Sequence, residues 1–446
     1  MSHVFHRGGG AAPPLAVSAS GLRIVDDTGQ TFLDASGGAA VSCIGHGDPR
    51  VVEAIRDQAA RLDYVHSSAF ANAPAEALAA RVCASTPLRM EKVYLVGSGS
   101  EAVETAVKMA RGYHLARGDV SRHHVIARRQ SYHGNTLGVL ARGGSNARRL
   151  PYLPMMTETP RAAPCFAFHE MQKGESEEEY AIRAADTLEA EILALGPDTV
   201  SAFLAETVVG ATSGAVPPCS GYFARIREIC DRYGVLLILD EVMCGAWRTG
   251  PFLACEAEGV TPDIVTLAKG LGGGYQPIGA AICTRAVHDA FADGRRGFVH
   301  GHTYMAHPIA CAAALAVQEV IAADGLAENV SLAGATLRAA LEARFGNTAE
   351  VGDVRGRGLL QAIELLEDPS RKAPFDPALD VAGRIGAACR RHGVLVYPGR
   401  GTVDGRCGDH ILLAPPYCVT EAEVNEIVDW LGRAVDETLT DLRNNR

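Results

Sequence analysis

The stretch Pro262-Asp-Ile-Val-Thr-Leu-Ala-Lys269-Gly270-Leu-Gly-Gly-Gly274 decides how this chain is read. Ile264 to Ala268 is a short apolar run, the pattern of a buried strand. It ends on Lys269 and a glycine-rich bend. Lysine is rare here, with five among 42 basic side chains, and the other four (Lys92, Lys108, Lys173, Lys372) lie in polar or helical surroundings. An ammonium at the end of an apolar strand is costly to bury, so its pKa falls. A depressed lysine pKa suits Schiff-base chemistry. The alternative is a lysine whose stem follows the strand end and whose head reaches water. These thirteen residues leave both readings open.

Outward from that bend, 446 residues exceed one ordinary domain, and 47% apolar residues provide for a large core. A net charge of −10 speaks against a nucleic-acid partner, which needs clustered Lys/Arg. The twelve cysteines show no C-x-x-C and no zinc spacing, the pattern of buried free thiols in a reducing compartment. No apolar run reaches membrane-spanning length, and the first residues show no signal-peptide core. The expectation is a cytoplasmic protein with no membrane span and no metal.

Leu22–Asp27 and Gln30–Asp34 read as a hairpin across Thr28-Gly29, and Asp48-Pro49 opens a helix from Val51 to Leu62. Strands and helices then alternate. Val93–Val96, His124–Ala127, Thr199–Val209, Val235–Asp240, Ile264–Ala268 and Ile278–Cys283 are mostly apolar throughout, which predicts a parallel sheet covered on both faces. Ser145 to Glu179 is polar and reads as a surface excursion. From about residue 325 the order changes to helix, strand (Gly358–Leu365), helix (Ala378–His392), strands (Val394–Tyr397, Asp409–Leu413) and helix (Glu421–Leu439). The expected division is an N-terminal arm and small-domain segment over 1–60, a large domain over 61–324, and a C-terminal small domain over 325–446.

Four further stretches carry candidate chemistry. Val96-Gly-Ser-Gly99-Ser100-Glu-Ala102 joins a strand to a helix and has the form of a phosphate cradle, with free N–H groups and the positive end of a helix dipole. It reads equally well as a capped helix start. Asp240 closes the most apolar strand, where a carboxylate needs a partner. A protonated ring nitrogen would serve, as would a helix cap or an ion pair with Arg248. In Ser131-Tyr132-His133-Gly134, Tyr132 can stack on a flat ring and His133 can tune it, or both can be core. His300-Gly-His-Thr303 lacks metal-helix spacing, and a loop hydroxyl such as Thr303 suits a phosphate better.

Taken together, Gly97-Ser-Gly-Ser-Glu-Ala102, Ser131-Tyr-His-Gly134, Leu239-Asp-Glu-Val242, Arg248-Thr-Gly250, Leu267-Ala-Lys269-Gly and His302-Thr303-Tyr304 resemble the class III aminotransferases, pyridoxal-phosphate enzymes of fold type I. The resemblance covers nearly the whole chain. It implies an α/β fold, with a large domain built on a mostly parallel sheet flanked by helices and a smaller α+β domain. It implies that Lys269 holds pyridoxal 5'-phosphate as a Schiff base and shuttles the proton, and that Asp240 keeps the ring nitrogen protonated. Gly99 and Ser100 would bind the phosphate. Tyr132 would stack on one ring face, with His133 beside it, and Val242 would press the other. Thr303 would reach the cofactor of a second subunit, in a homodimer or a tetramer of such dimers. Glu206 would lie near the substrate.

The implied activity is transfer of an amino group from an ω-amino acid or amine to pyruvate or 2-oxoglutarate. A dialkylglycine-type decarboxylation or a semialdehyde aminomutase reaction would use the same residues. Departures bear on the pocket. Met243-Cys244 stands where several members carry Gln after Asp-Glu-Val, and Thr207 stands where many carry Pro. Ala40 aligns with a tryptophan of the ω-amine:pyruvate branch. The loop Pro398-Gly-Arg400 to Arg406-Cys-Gly-Asp409 is where relatives carry a mobile carboxylate-binding arginine. Arg406 fits that position better than Arg400.

Overall fold

A computed structural model describes residues 2–7, 12–292 and 297–444. Its central feature is a seven-stranded sheet. In chain order the strands are β1 (Met90–Val96), β2 (His124–Arg128), β3 (Arg161–Ala162), β4 (Val200–Glu206), β5 (Leu236–Asp240), β6 (Ile264–Leu267) and β7 (Gly279–Thr284). Across the sheet they run β1-β7-β6-β5-β4-β2-β3. All pairings are parallel except those of β7, which is antiparallel to both neighbours.

The apolar runs are buried on two faces because both are covered. Along β4, Ala202 and Leu204 join Val103, Ala106 and Val107 of the helix Gly99–Ala116. Phe203 and Ala205 turn the other way, into the cluster that holds Leu188 of the helix Glu177–Leu195 and Ile226 of Tyr222–Tyr233. A strand alternates its faces and each face finds a helix, so neither can be polar.

The expected hairpin forms as Arg23–Asp26 and Thr31–Asp34, with Ala16–Ser20 beside it. Its fourth strand comes from the far end of the chain, because Val394–Leu395 pairs in parallel with Thr31–Asp34. A second four-stranded sheet is antiparallel and orders Val351–Arg357, Leu360–Leu365, Asp409–Leu413 and Tyr397–Arg400. The run read as one strand from Val394 to Tyr397 therefore serves two sheets. The polar stretch 145–179 is not wholly surface, since Arg161–Ala162 closes the edge of the large sheet and Cys165 and Phe166 are buried. Among the described residues no single helix is long and apolar enough to cross a membrane.

Candidate active site

Strand register assembles the site. Glu206 at the end of β4 is the lateral partner of Asp240 at the end of β5, and Asp240 is the partner of Thr266 on β6. Three polar side chains thus stand in a row at the carboxyl ends of adjacent parallel strands, where open α/β sheets bind ligands. Lys269 follows three residues after Thr266. It adopts a left-handed backbone, φ 39°, as the chain leaves β6 into a 3₁₀ turn. For a residue with a side chain that conformation costs about 1–3 kcal/mol, and it is held here by Gly272 N and Gly273 N donating to the Lys269 carbonyl.

The Lys269 side chain is largely buried and lines a cavity of about 450 Å³. Burial draws its pKa down from 10.5 to about 8, and the carboxylates of Asp240 and Glu206 keep it from falling further. Glu206, also buried, is pushed up by desolvation. Its Oε2 accepts from Tyr132 N at 3.2 Å and its Oε1 from Gly210 N at 3.0 Å.

Asp240 does not pair with Arg248. Its Oδ2 accepts from His133 Nδ1 at 2.8 Å, and its Oδ1 accepts from Val242 N at 3.0 Å and Thr266 Oγ1 at 3.2 Å. Arg248 instead donates to the carbonyls of Leu359 and Pro415 and lies over the Tyr417 ring. His133 Nε2 is buried without a partner.

The cradle reading and the cap reading of Gly97–Glu101 both hold. Ser98 caps the helix by accepting from Glu101 N at 3.2 Å, while Glu101 Oε2 accepts from Gly97 N at 2.7 Å. Ser98, Gly99 and Ser100 still face the cavity. Two glycines keep it open. A Cβ on Gly99 would meet Val242 Cγ1 at 2.8 Å, and one on Gly134, at φ 132°, would meet Ser100 Oγ at 2.6 Å. The walls therefore fit a flat phosphorylated ring with an aldehyde: an amine for the aldehyde, a carboxylate for the ring nitrogen, and a helix N-terminus for the phosphate.

The family model described as aminotransferase class-III matches residues 5–435. The chain belongs to the class III aminotransferases. It is 43% identical over 442 residues to an uncharacterized aminotransferase of Schizosaccharomyces pombe, covering 99% of this chain and 96% of that one. It is 37% identical over 436 residues to a diaminobutyrate–2-oxoglutarate transaminase of Halomonas elongata, covering 96% and 91%. The omega transaminase from Pseudomonas jessenii in complex with PMP superimposes with a TM-score of 0.92 at 31% identity, over 98% of this chain and 97% of that one. The fold is that of the class III transaminases, and the enzyme depends on pyridoxal phosphate.

Other expected residues fall in different places in the aminotransferase. Tyr132, His133 and Val242 line the cavity with Gly99, Ser100 and Lys269. Ala40 does not. Held at φ 61°, it is buried among Val208, Met243 and Leu360, while its neighbours Ala39 and Val41 line the wall. The wall at this point is thus formed by the residues on either side of Ala40. Thr303 lies outside the cavity of its own chain, on an exposed loop where its carbonyl accepts from Tyr64 Oη at 3.0 Å. The departure at Thr207 has a local cause: its hydroxyl donates to Glu241 Oε1 at 2.8 Å, a buried carboxyl pushed up to about 7 by desolvation.

The arginine loop lies beside the cavity. Arg400 is tied to Asp380, whereas the Arg406 side chain has no ion pair among the described residues. Gln130, buried at φ 54° just before Tyr132, donates from Nε2 to the carbonyls of Gly401 (3.0 Å) and Thr402 (3.1 Å). Thr402 Oγ1 is 2.7 Å from His410 Nδ1. Arg148 was not singled out from sequence. It lines the cavity and places its guanidinium 4.4 Å from the centre of the Tyr132 ring. It lies in a polar stretch whose pattern gives no sign that it folds back on the site.

Proposed function

We propose that this aminotransferase moves an amino group from an ω-amino acid or amine to pyruvate or 2-oxoglutarate. One observation carries the reading: an amine of lowered pKa stands in a cavity that shares Tyr132, Arg148, Ala211 and Tyr397 with the hollow beside the loop of Arg406, an arginine without an ion pair among the described residues. Two substrates must use such a site in turn, and only the keto acid brings an α-carboxylate of its own to every cycle. The Halomonas relative, named for diaminobutyrate and 2-oxoglutarate, and the Pseudomonas omega transaminase support a donor of this kind.

Pyridoxal phosphate supplies the aldehyde carbon and the electron-accepting ring when bound. Lys269 Nζ, with a pKa near working pH, is suited to take a proton from the substrate carbon and return it one atom further on. Asp240 holds a proton on the ring nitrogen, and His133 fixes the carboxylate's orientation. Tyr132 and Val242, both lining the cavity, would confine the ring from opposite sides. Glu206 holds the Tyr132 loop by its backbone. Arg406 binds the keto-acid carboxylate bidentately and turns away when the bound substrate has none.

The same reading makes the working unit a homodimer or a tetramer of dimers, with Thr303 serving the neighbouring subunit's phosphate, and places it in the cytoplasm, where its thiols stay reduced. A donor panel with each keto acid tests the proposal. Amine-dependent consumption of one keto acid without carbon dioxide release is expected. Carbon dioxide release in step with turnover, or rearrangement without a separate acceptor, would replace it with decarboxylase or aminomutase chemistry.

A further inference from the structure

Next to the Lys269 cavity lies a second hollow of about 410 Å³, and Tyr132, Arg148, Ala211 and Tyr397 line both. Three arginines, Arg148, Arg400 and Arg406, line the second hollow, and no Asp or Glu does. In a chain with 52 acidic and 42 basic residues, that one-signed lining stands apart. Arg400 is neutralised by Asp380. Arg148 and Arg406 have no ion pair among the described residues. Arg148 sits at the junction, over the Tyr132 ring. Arg148 is exposed to solvent beside that ring, so a carboxylate there would meet a guanidinium free to bind it bidentately.

We propose that Arg148, at the junction of the two hollows, is the anchor for the second carboxylate of a dicarboxylic 2-oxo acid acceptor. This deepens the transamination reading and rests on it: it names the acceptor class as dicarboxylic. One carboxylate goes to Arg406, and the chain of the acid carries the other along Tyr132 to Arg148. A monocarboxylic acceptor such as pyruvate leaves Arg148 unused.

The test uses the holoenzyme and two unreactive probes. Glutarate has two carboxylates and neither a keto nor an amino group; propionate has one carboxylate. Calorimetric titration of wild type, Arg148→Gln and Arg148→Lys is expected to show the glutarate-to-propionate preference falling about tenfold in Arg148→Gln and partly restored in Arg148→Lys. The ratio of kcat/KM for 2-oxoglutarate over pyruvate falls by the same factor, through KM. Glutarate and propionate weakened equally, or neither weakened, overturns the assignment. Failure of wild type to prefer glutarate overturns it too, while pyruvate turnover keeps the transaminase reading standing. Absence of turnover with any keto acid sinks that reading instead, and the glutarate titration still reports on the hollow.

Discussion

His133 Nδ1 donates to Asp240 Oδ2 at 2.8 Å, and both residues are almost wholly buried. The carboxylate that ends the most apolar strand is therefore aimed before any ligand arrives. Asp240→Asn would keep the shape and lose the charge. Turnover should drop about a hundredfold or more while the cofactor's phosphate end still binds. Steady-state rates beside equilibrium cofactor binding check this, and a near-normal rate would make Asp240 structural.

Lys269 gives a pH prediction. Its folded pKa, about 8, lies below its ordinary 10.5. Below pH 8 the cofactor-free protein carries a buried ammonium, at a cost of roughly 3 kcal/mol. Between pH 8 and 10.5 the unfolded chain binds more protons than the folded one, so this group's contribution to stability rises with pH. Lys269→Met removes the group. Its stability advantage over wild type should be largest below pH 8 and shrink toward pH 10.5, measured by denaturation of the two apoproteins. A constant difference would mean that the lysine is not buried as an amine. The same variant should lose borohydride-fixed cofactor and nearly all turnover.

Gly99→Ala tests the cradle. The added methyl must displace Val242, the residue set to press the ring. Overpacking of this kind costs about 1–3 kcal/mol. Cofactor affinity, titrated by fluorescence, should weaken about tenfold with the fold intact. Unchanged affinity would show that Val242 does not press the ring.

Arg406→Ala should raise KM for the keto acid strongly and for a carboxylate-free amine much less. Equal losses would remove Arg406 from the site. Arg400 would be next to test, although its link to Asp380 already occupies it.

Thr303 serves a cofactor only if two chains share a site. Sedimentation at assay concentration should show a dimer or larger, and Thr303→Ala should weaken cofactor retention without changing that size. A fully active monomer would contradict the shared site.

The strands that place the site were legible because each is apolar on both faces, so Val200–Glu206 and Leu236–Asp240 could be read from composition alone. Asp240 and Lys269 were marked by where their apolar runs stop, whereas Glu206 lay inside the run Thr199–Val209 and was picked out by the family resemblance alone. Register across strands was not legible, nor was the two-residue strand Arg161–Ala162, too short to show any period. The break at Val396 was hidden for the opposite reason: an unbroken apolar run can change sheets without changing composition. Ala40 packs away from the cavity because a left-handed backbone turns its side chain aside, and an alanine carries no sign of that conformation. Arg148 and Gln130 act through tertiary contacts with partners up to 272 residues away, which no local pattern records.

Gln130 ties two segments that would otherwise answer to different ligands. Its amide grips the root of the arginine loop, and its backbone leads directly into the tyrosine over the ring. Under the proposed swing of Arg406, a loop that moved to meet a carboxylate would pull on Tyr132 through this amide, and the choice of substrate would be geared to the grip on the cofactor. Anyone transplanting residues 398–409 from a relative to change the acceptor would inherit only half of the device, because the other half sits at position 130.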